Sequence, residues 1–257
     1  MRSRLLFVSV ITVVVIAASA LTGCAAFGPG PAVSQDREVT DVTGVELDTS
    51  GDLTVTSGAT PSLRVTAGER IIDSLTAEVD DGVLRLGMDG EPPLRSGDIR
   101  YELTVSSLES LAVFGSGDAS VDFTGASAPT ITIRGSGDVE ARGIDASGAA
   151  LTIDGSGEIA VRDAVLETLT VRIDGSGEVE IDGTTTTQRV EIGGAGGYDA
   201  EGLRSSDTSV TIRGPGSATV TAEKTLEAII DGSADISYGG SARVTQEVSG
   251  SGDVARR

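Results

Sequence analysis

Apolar and polar residues alternate with period two along most of this chain, and a tight glycine-rich phrase breaks the alternation at regular intervals. Gly115-Ser116-Gly117-Asp118 returns as Gly135-Ser136-Gly137-Asp138, Gly155-Ser156-Gly157-Glu158, Gly175-Ser176-Gly177-Glu178 and Gly250-Ser251-Gly252-Asp253. Degenerate copies start at Gly194, Gly214 and Gly232, so the intervals are 20, 20, 20, 19, 20, 18 and 18 residues. Four apolar columns flank each phrase. Val113, Ile133, Ile153, Ile173, Ile192, Ile212, Ile230 and Val248 stand two residues before it, and Leu111, Ile131, Leu151, Val171, Val190, Val210, Ala228 and Gln246 four before. Ala119, Val139, Ile159, Val179, Tyr198, Ala218, Ile236 and Val254 stand four after, and Val121, Ala141, Val161, Ile181, Ala200, Val220 and Tyr238 six after.

Period-two alternation with one apolar face predicts strands on each side of a tight turn. Dense β-branching and a glycine every few residues oppose a helix. The turn glycines fit a positive φ or a close approach of two backbones. One such unit cannot bury its apolar face. Copies stacked in register can, through parallel strand pairing, and a period near 20 is the mark of such a solenoid. The expected fold is all-β: a parallel β-helix of about eight coils, a rod roughly 35–40 Å long at ~4.8 Å per coil. An antiparallel sandwich of hairpins closed by the G-S-G-D phrases is the structural rival.

Residues 37–113 lack the strict phrase but remain strand-rich, for example Val83-Leu84-Arg85-Leu86 and Tyr101-Glu102-Leu103-Thr104-Val105. Thr49-Ser50-Gly51-Asp52 reads as a worn copy of the turn. This part is expected to form irregular first coils and a cap, since a bare solenoid end exposes strand edges. Residues 91–98 read as an excursion loop, and Thr184 to Thr187 as a plain loop at a coil corner. The regular repeats occupy 114–257.

At the other end, Arg2 and Arg4 precede an apolar run from Leu5 to Ala20, then Leu21-Thr22-Gly23-Cys24. This resembles the lipobox of bacterial lipoproteins, which implies a signal peptide at 1–23 and a diacylglyceryl group on Cys24. Two acyl chains suffice for stable anchoring to a membrane. The alternative is an uncleaved transmembrane anchor, for which about 17 apolar residues is short. Either reading puts the rest of the chain outside the cytoplasm. Residues 24–36 read as the lipidated cysteine and a flexible tether.

Composition narrows the function. The net charge is −20, and −22 without Arg2 and Arg4, which argues against nucleic acid and against docking on anionic lipid. With no histidine, a Ser-His-Asp triad and His-ligated zinc are excluded. Cys24 is the only cysteine, so no intramolecular disulfide forms. No outward aromatic stripe offers a platform for sugar rings, and Tyr198 and Tyr238 fall in inward slots.

In-register stacking places Asp118, Asp138, Glu158 and Glu178 one above another. Two charges at ~4.8 Å repel by about 1 kcal/mol in water and about 3.5 at an effective dielectric of 20. The carboxylates must accept turn N–H bonds, splay into solvent, or share calcium, which takes six to eight oxygen ligands. Calcium is thus the one cofactor the sequence leaves open, although the phrase departs from the calcium-binding nonapeptide pattern. An enzyme of this shape would pair a carboxylate cluster with a basic residue on one flank. The basic candidates Arg142, Arg162, Arg172, Arg189, Arg204 and Lys224 sit mostly at outward strand positions, where pairing with Asp or Glu is the default.

Gly44-Val45-Glu46-Leu47, Ser62-Leu63-Arg64-Val65-Thr66-Ala67, Asp80-Asp81-Gly82-Val83-Leu84 and Leu108 to Asp118 occur in an order that resembles the auto-transporter adhesin family of the head GIN domain. The Gly-Ile-Asn triplet of the family name has its nearest counterpart in Gly143-Ile144-Asp145. The resemblance implies a right-handed parallel β-helix, similar in shape to pectate lyases, without a recognised catalytic set. It also implies adhesion at the cell surface. The expected function is a non-catalytic, lipid-anchored binding or scaffold protein of the cell envelope, with a cell-wall, polysaccharide or protein partner. A calcium-binding structural module and a degenerate polysaccharide-active enzyme are the alternatives.

Overall fold

The structure is a computed structural model and describes residues 29–90 and 97–257. Its strands run β1 (Ala32–Arg37), β2 (Gly44–Leu47), β3 (Asp52–Ser57), β4 (Ser62–Gly68), β5 (Leu75–Asp80), β6 (Val83–Met88), β7 (Arg100–Val105), β8 (Ser110–Val113), β9 (Ala119–Asp122), β10 (Thr130–Ile133) and β11 (Val139–Arg142). They continue as β12 (Asp145–Gly155), β13 (Glu158–Gly175), β14 (Glu178–Gly194), β15 (Gly197–Gly214), β16 (Ser217–Gly232), β17 (Asp235–Gly239), β18 (Arg243–Gly250) and β19 (Asp253–Arg256). A 3-10 turn, Ile72–Ser74, precedes β5.

Parallel pairing runs in register from coil to coil, as the 20-residue period requires. Val113 pairs with Ile133, Ile133 with Ile153, Ile153 with Ile173, and Ile173 with Ile192. On the other side of the turn Ala119 pairs with Val139, Val139 with Ile159, and Ile159 with Val179. The hairpin sandwich is thereby excluded, and the coils form a β-solenoid of about seven turns.

The four apolar columns are the core. From Val113 to Ile230 every member of the column two residues before the phrase is at most 1% exposed. Tyr198 is buried with them, while Tyr238 is only partly enclosed. The column opens at the last copy, where Val248 is 39% exposed. β18 pairs with β16 alone and β19 with β17 alone, so nothing covers their outer side among the described residues.

The N-terminal part is irregular in an unexpected way. The coil of β2 and β3 does not sit at the end of the stack. β2 pairs in parallel with both β6 and β8, and β3 with both β7 and β9. The first coil in the chain is therefore the second in space, and β6–β7 is stacked outside it. Antiparallel strands close that end: β5 on β6, and β4 on β7 with β1 on β4. Antiparallel partners complete the edge hydrogen bonds that another coil would otherwise take. The worn turn fits its assignment, since Thr49 to Asp52 lies directly against Gly115 to Asp118, with Leu47 opposite Val113 and Leu53 opposite Ala119.

Two expectations about individual segments change, and a third lies mostly outside the described residues. The tether does not extend to residue 36, because Ala32–Arg37 is a strand with alternating half-buried side chains. Arg37 fixes it, donating to the Leu75 carbonyl at 2.6 Å and the Ile72 carbonyl at 3.0 Å. Thr184 to Thr187 is not a plain loop but part of β14, and Thr185 is buried with its hydroxyl donating to the Thr187 carbonyl at 3.1 Å. The excursion at 91–98 lies outside the described residues except for Gly97 and Asp98.

Candidate functional site

The G-S-G-D/E turns form one continuous ridge, and their glycines let the coils approach. A Cβ on Gly135 would run into the Gly115 carbonyl oxygen, and one on Gly137 into the Gly117 carbonyl. Gly175 also has a φ of 128°, which disfavours any L side chain.

Asp118, Asp138, Glu158 and Glu178 are brought together as expected, on neighbouring coils of this ridge. The two aspartates are engaged by backbone. Asp118 Oδ1 accepts the Asp138 N–H at 3.0 Å, and Asp138 Oδ1 accepts the Glu158 N–H at 2.9 Å. At the next turn the Glu178 N–H donates instead to the Gly157 carbonyl at 3.2 Å. The Asp253 N–H, above Asp235, likewise donates to a backbone carbonyl, that of Ala234 at 3.0 Å, so the carboxylate contact belongs to the Asp118–Asp138–Glu158 stretch.

Like-charge crowding persists at the middle of the column. Partial burial, then Asp138, Glu178 and Glu180, pushes the Glu158 carboxyl above its usual range, with Arg162 opposing. Among the described residues, no group of three or more Asp, Glu, Cys or His side chains converges to hold a metal.

Three of the outward basic candidates pair with carboxylates on the same or a neighbouring coil. Arg142 lies 3.5 Å from Asp122, Arg162 2.6 Å from Glu180 and 3.5 Å from Asp182, and Arg172 2.5 Å from Asp174 and 3.5 Å from Glu191. These are ladder partners on an exposed face, each worth little alone. Cys24 lies outside the described residues, and no helix among those described is long and apolar enough to cross a membrane.

Two features escaped the sequence reading. One is a polar cluster inside the solenoid. The Tyr198 hydroxyl donates to Gln188 Oε1 at 2.8 Å, and Gln188 Nε2 donates to Ser205 Oγ at 2.8 Å and Thr208 Oγ1 at 3.1 Å. Ser205 in turn donates to the Thr221 carbonyl at 3.0 Å. Burial raises the Tyr198 phenol far above its ordinary value, so it stays a neutral donor. The in-register column held the signal: Leu169, Gln188, Thr208 and Leu226 pair in succession, so two adjacent polar residues occupy an inward row.

The other feature is an open cleft of about 420 Å³ on the outer sheet face, where the cap meets the first coils. Glu46 and Asp48 of the β2 coil, Thr76 and Glu78 of β5, Arg85, Leu86 and Gly87 of β6, and Phe114 line it. The register explains the depression, because Gly87 lies opposite Thr76 in β5 and adds no side chain to the face. Phe114 follows inward Val113 and so points outward, with the Arg134 guanidinium 5.6 Å from its ring centre. Arg85 is held by Glu46 at 3.0 Å and Asp80 at 3.7 Å.

The fold is shared by solved proteins. A protein from Parabacteroides distasonis described as a putative lipid binding protein superposes with a TM-score of 0.83 at 26% identity, covering 90% of this chain and 98% of that one. A putative adhesin from Parabacteroides merdae has a TM-score of 0.81 at 21% identity, with the same coverage. A putative adhesin from Bacteroides fragilis has a TM-score of 0.63 at 19% identity over 88% of this chain and 97% of that one. Among curated proteins, none matches the chain. Residues 41–242, which span β2 to β17, match the family described as "putative auto-transporter adhesin, head GIN domain", and the chain belongs to that family.

Proposed function

We propose that this protein is a non-catalytic binding or scaffold module of the bacterial cell envelope, anchored to the membrane through a lipid on Cys24 and adhesin-like in role. The observation that carries the reading is the continuous outer surface of the in-register solenoid, along which Arg142, Arg162 and Arg172 pair with carboxylates of neighbouring coils. A rigid stack of coils of this kind supports extended contact surfaces. Membership of the adhesin family accords with a surface role. Fold alone does not dictate function, so the outer surface, and not the solenoid as such, bears the argument.

The anchor rests on the Leu21-Thr22-Gly23-Cys24 sequence after an apolar run. Fractionation of cells expressing the full chain tests it. The native protein is expected in the membrane fraction, and Cys24→Ser is expected to release it. Unchanged membrane retention of Cys24→Ser would replace the lipid with an uncleaved apolar anchor. Turnover of a polysaccharide by the purified protein, abolished by replacing one acid, would overturn the non-catalytic reading.

A further inference from the structure

We propose that the cleft between the cap hairpin and the first coils is a binding subsite for a neutral saccharide. This deepens the adhesin reading and rests on it.

Three properties of the cleft point to that ligand. First, its chemistry is two-sided. The half-buried Phe114 ring contributes apolar surface, while Asp48, Glu78 and Thr76 contribute oxygen acceptors. A pyranose ring has the matching character, with a C–H face that lies on apolar surface and hydroxyls that donate to carboxylates. Ionised carboxylates accept stronger hydrogen bonds than neutral groups do.

Second, the acceptors are available. Glu46 and Arg85 neutralise each other across the cleft at 3.0 Å, whereas neither Asp48 nor Glu78 is held in an ion pair among the described residues. Both are exposed on the same face. Arg134 sits over Phe114 and also lies 3.6 Å from Asp154, which fixes the neighbouring row beside the ring.

Third, size and charge select the class. A volume of about 420 Å³ falls in the range of small-molecule sites, about 300–1,000 Å³. Three lining acids outnumber the one lining base, and the whole chain carries −20. An anionic glycan would meet repulsion at the site and from the surrounding field. The depression itself depends on Gly87, whose added Cβ would stand 3.0 Å from Thr76 Oγ1 and fill the floor.

The test uses the full-length chain in detergent. It is applied to immobilised neutral oligosaccharides built from glucose, galactose, mannose and N-acetylhexosamine, with polygalacturonate and a polyamine as charged comparators. Isolated cell wall is tested in parallel. Phe114→Ala and Gly87→Val are compared with the native chain and with Val165→Ser at a remote exposed site, after thermal melts confirm folding. Binding to at least one neutral oligosaccharide is expected, falling by about tenfold or more in both cleft variants and unchanged in Val165→Ser. Capture by none of the neutral sugars, capture by the polyamine alone, or binding insensitive to both cleft substitutions would overturn the proposal. Wall binding that persists in both cleft variants would sink the cleft inference and leave the adhesin reading intact. Loss of wall binding in the native chain itself would instead defeat that reading.

Discussion

Asp118 Oδ1 accepts a hydrogen bond from the backbone N–H of Asp138, 3.0 Å away on the next coil. The repeat is thus self-supporting at its corner: the side chain that ends one turn satisfies the backbone donor that ends the next. Asp138 repeats the contact to Glu158 at 2.9 Å. Of the three ways to accommodate stacked carboxylates, amide capping is the one these two aspartates adopt.

Removing that acceptor leaves the Asp138 amide without its partner. Asp118→Ala is expected to lower stability by about 1 kcal/mol, the net value of one such bond. Asp118→Asn keeps an acceptor oxygen and should cost less. Denaturant midpoints of the two variants decide it, and equal midpoints would mean the bond is not made.

Glu158 and Asp122 should bend the pH dependence of stability in opposite directions. The folded-state pKa of Glu158 is raised by burial and its acidic neighbours, so its contribution is full at low pH and is lost as pH rises through the raised value. Glu158→Gln is therefore expected to be more stable than the native chain at neutral pH, the gap narrowing in acid. For Asp122, burial pushes up but bonds from Thr124, with Arg142 nearby, win and lower its pKa. Its contribution is present above the normal carboxylate range and is lost as pH falls through the lowered value. Asp122→Asn should thus be less stable at neutral pH, with the gap closing in acid. Thermal melts across pH check both signs.

Glycines in the ridge and elsewhere should differ sharply. Gly135→Ala drives a methyl into the Gly115 carbonyl and is expected to cost about 2–4 kcal/mol. Gly148→Ala meets only the Thr168 carbonyl at 3.6 Å and should be tolerated. Similar melting temperatures for the two would deny the close coil contact.

The inner polar cluster is expected to behave as a unit. Tyr198→Phe strips Gln188 Oε1 of its donor inside the core and should cost about 1–3 kcal/mol. Gln188→Leu alone would strand the Tyr198 hydroxyl at similar cost. The double variant should be less destabilised than the sum, because an apolar pair of like shape leaves nothing unsatisfied. Strict additivity in a double-mutant cycle would dissolve the network.

The regular coils were legible because their residues are locally consistent. Each phrase fixes a corner, and counting two and four residues either way finds columns that the structure buries from Val113 to Ile236. The cap was legible as strands but not as topology. Alternation tells which face of β2 is inward, yet nothing in Gly44 to Leu47 says that β6, 39 residues later, will slide in on its outer side. That choice is made by long-range pairing. Phe114 stands one residue before the first full phrase and belongs to no periodic column of its own. Its significance comes from Gly87 and Thr76, which only the cap's antiparallel hairpin brings to the same face. Gln188 lies outside the four columns counted from the phrase, and only the register sets it between Leu169 and Thr208 in an inward row.

The most direct test of the account is co-sedimentation of the full chain with isolated cell wall, run with calcium and with chelator. Saturable binding that is the same in both conditions is the predicted result, since the Asp118 and Asp138 carboxylates already serve backbone amides. Binding that appears only with calcium would reassign the acidic ridge to the metal, and no binding in either condition would contradict the adhesin-like role.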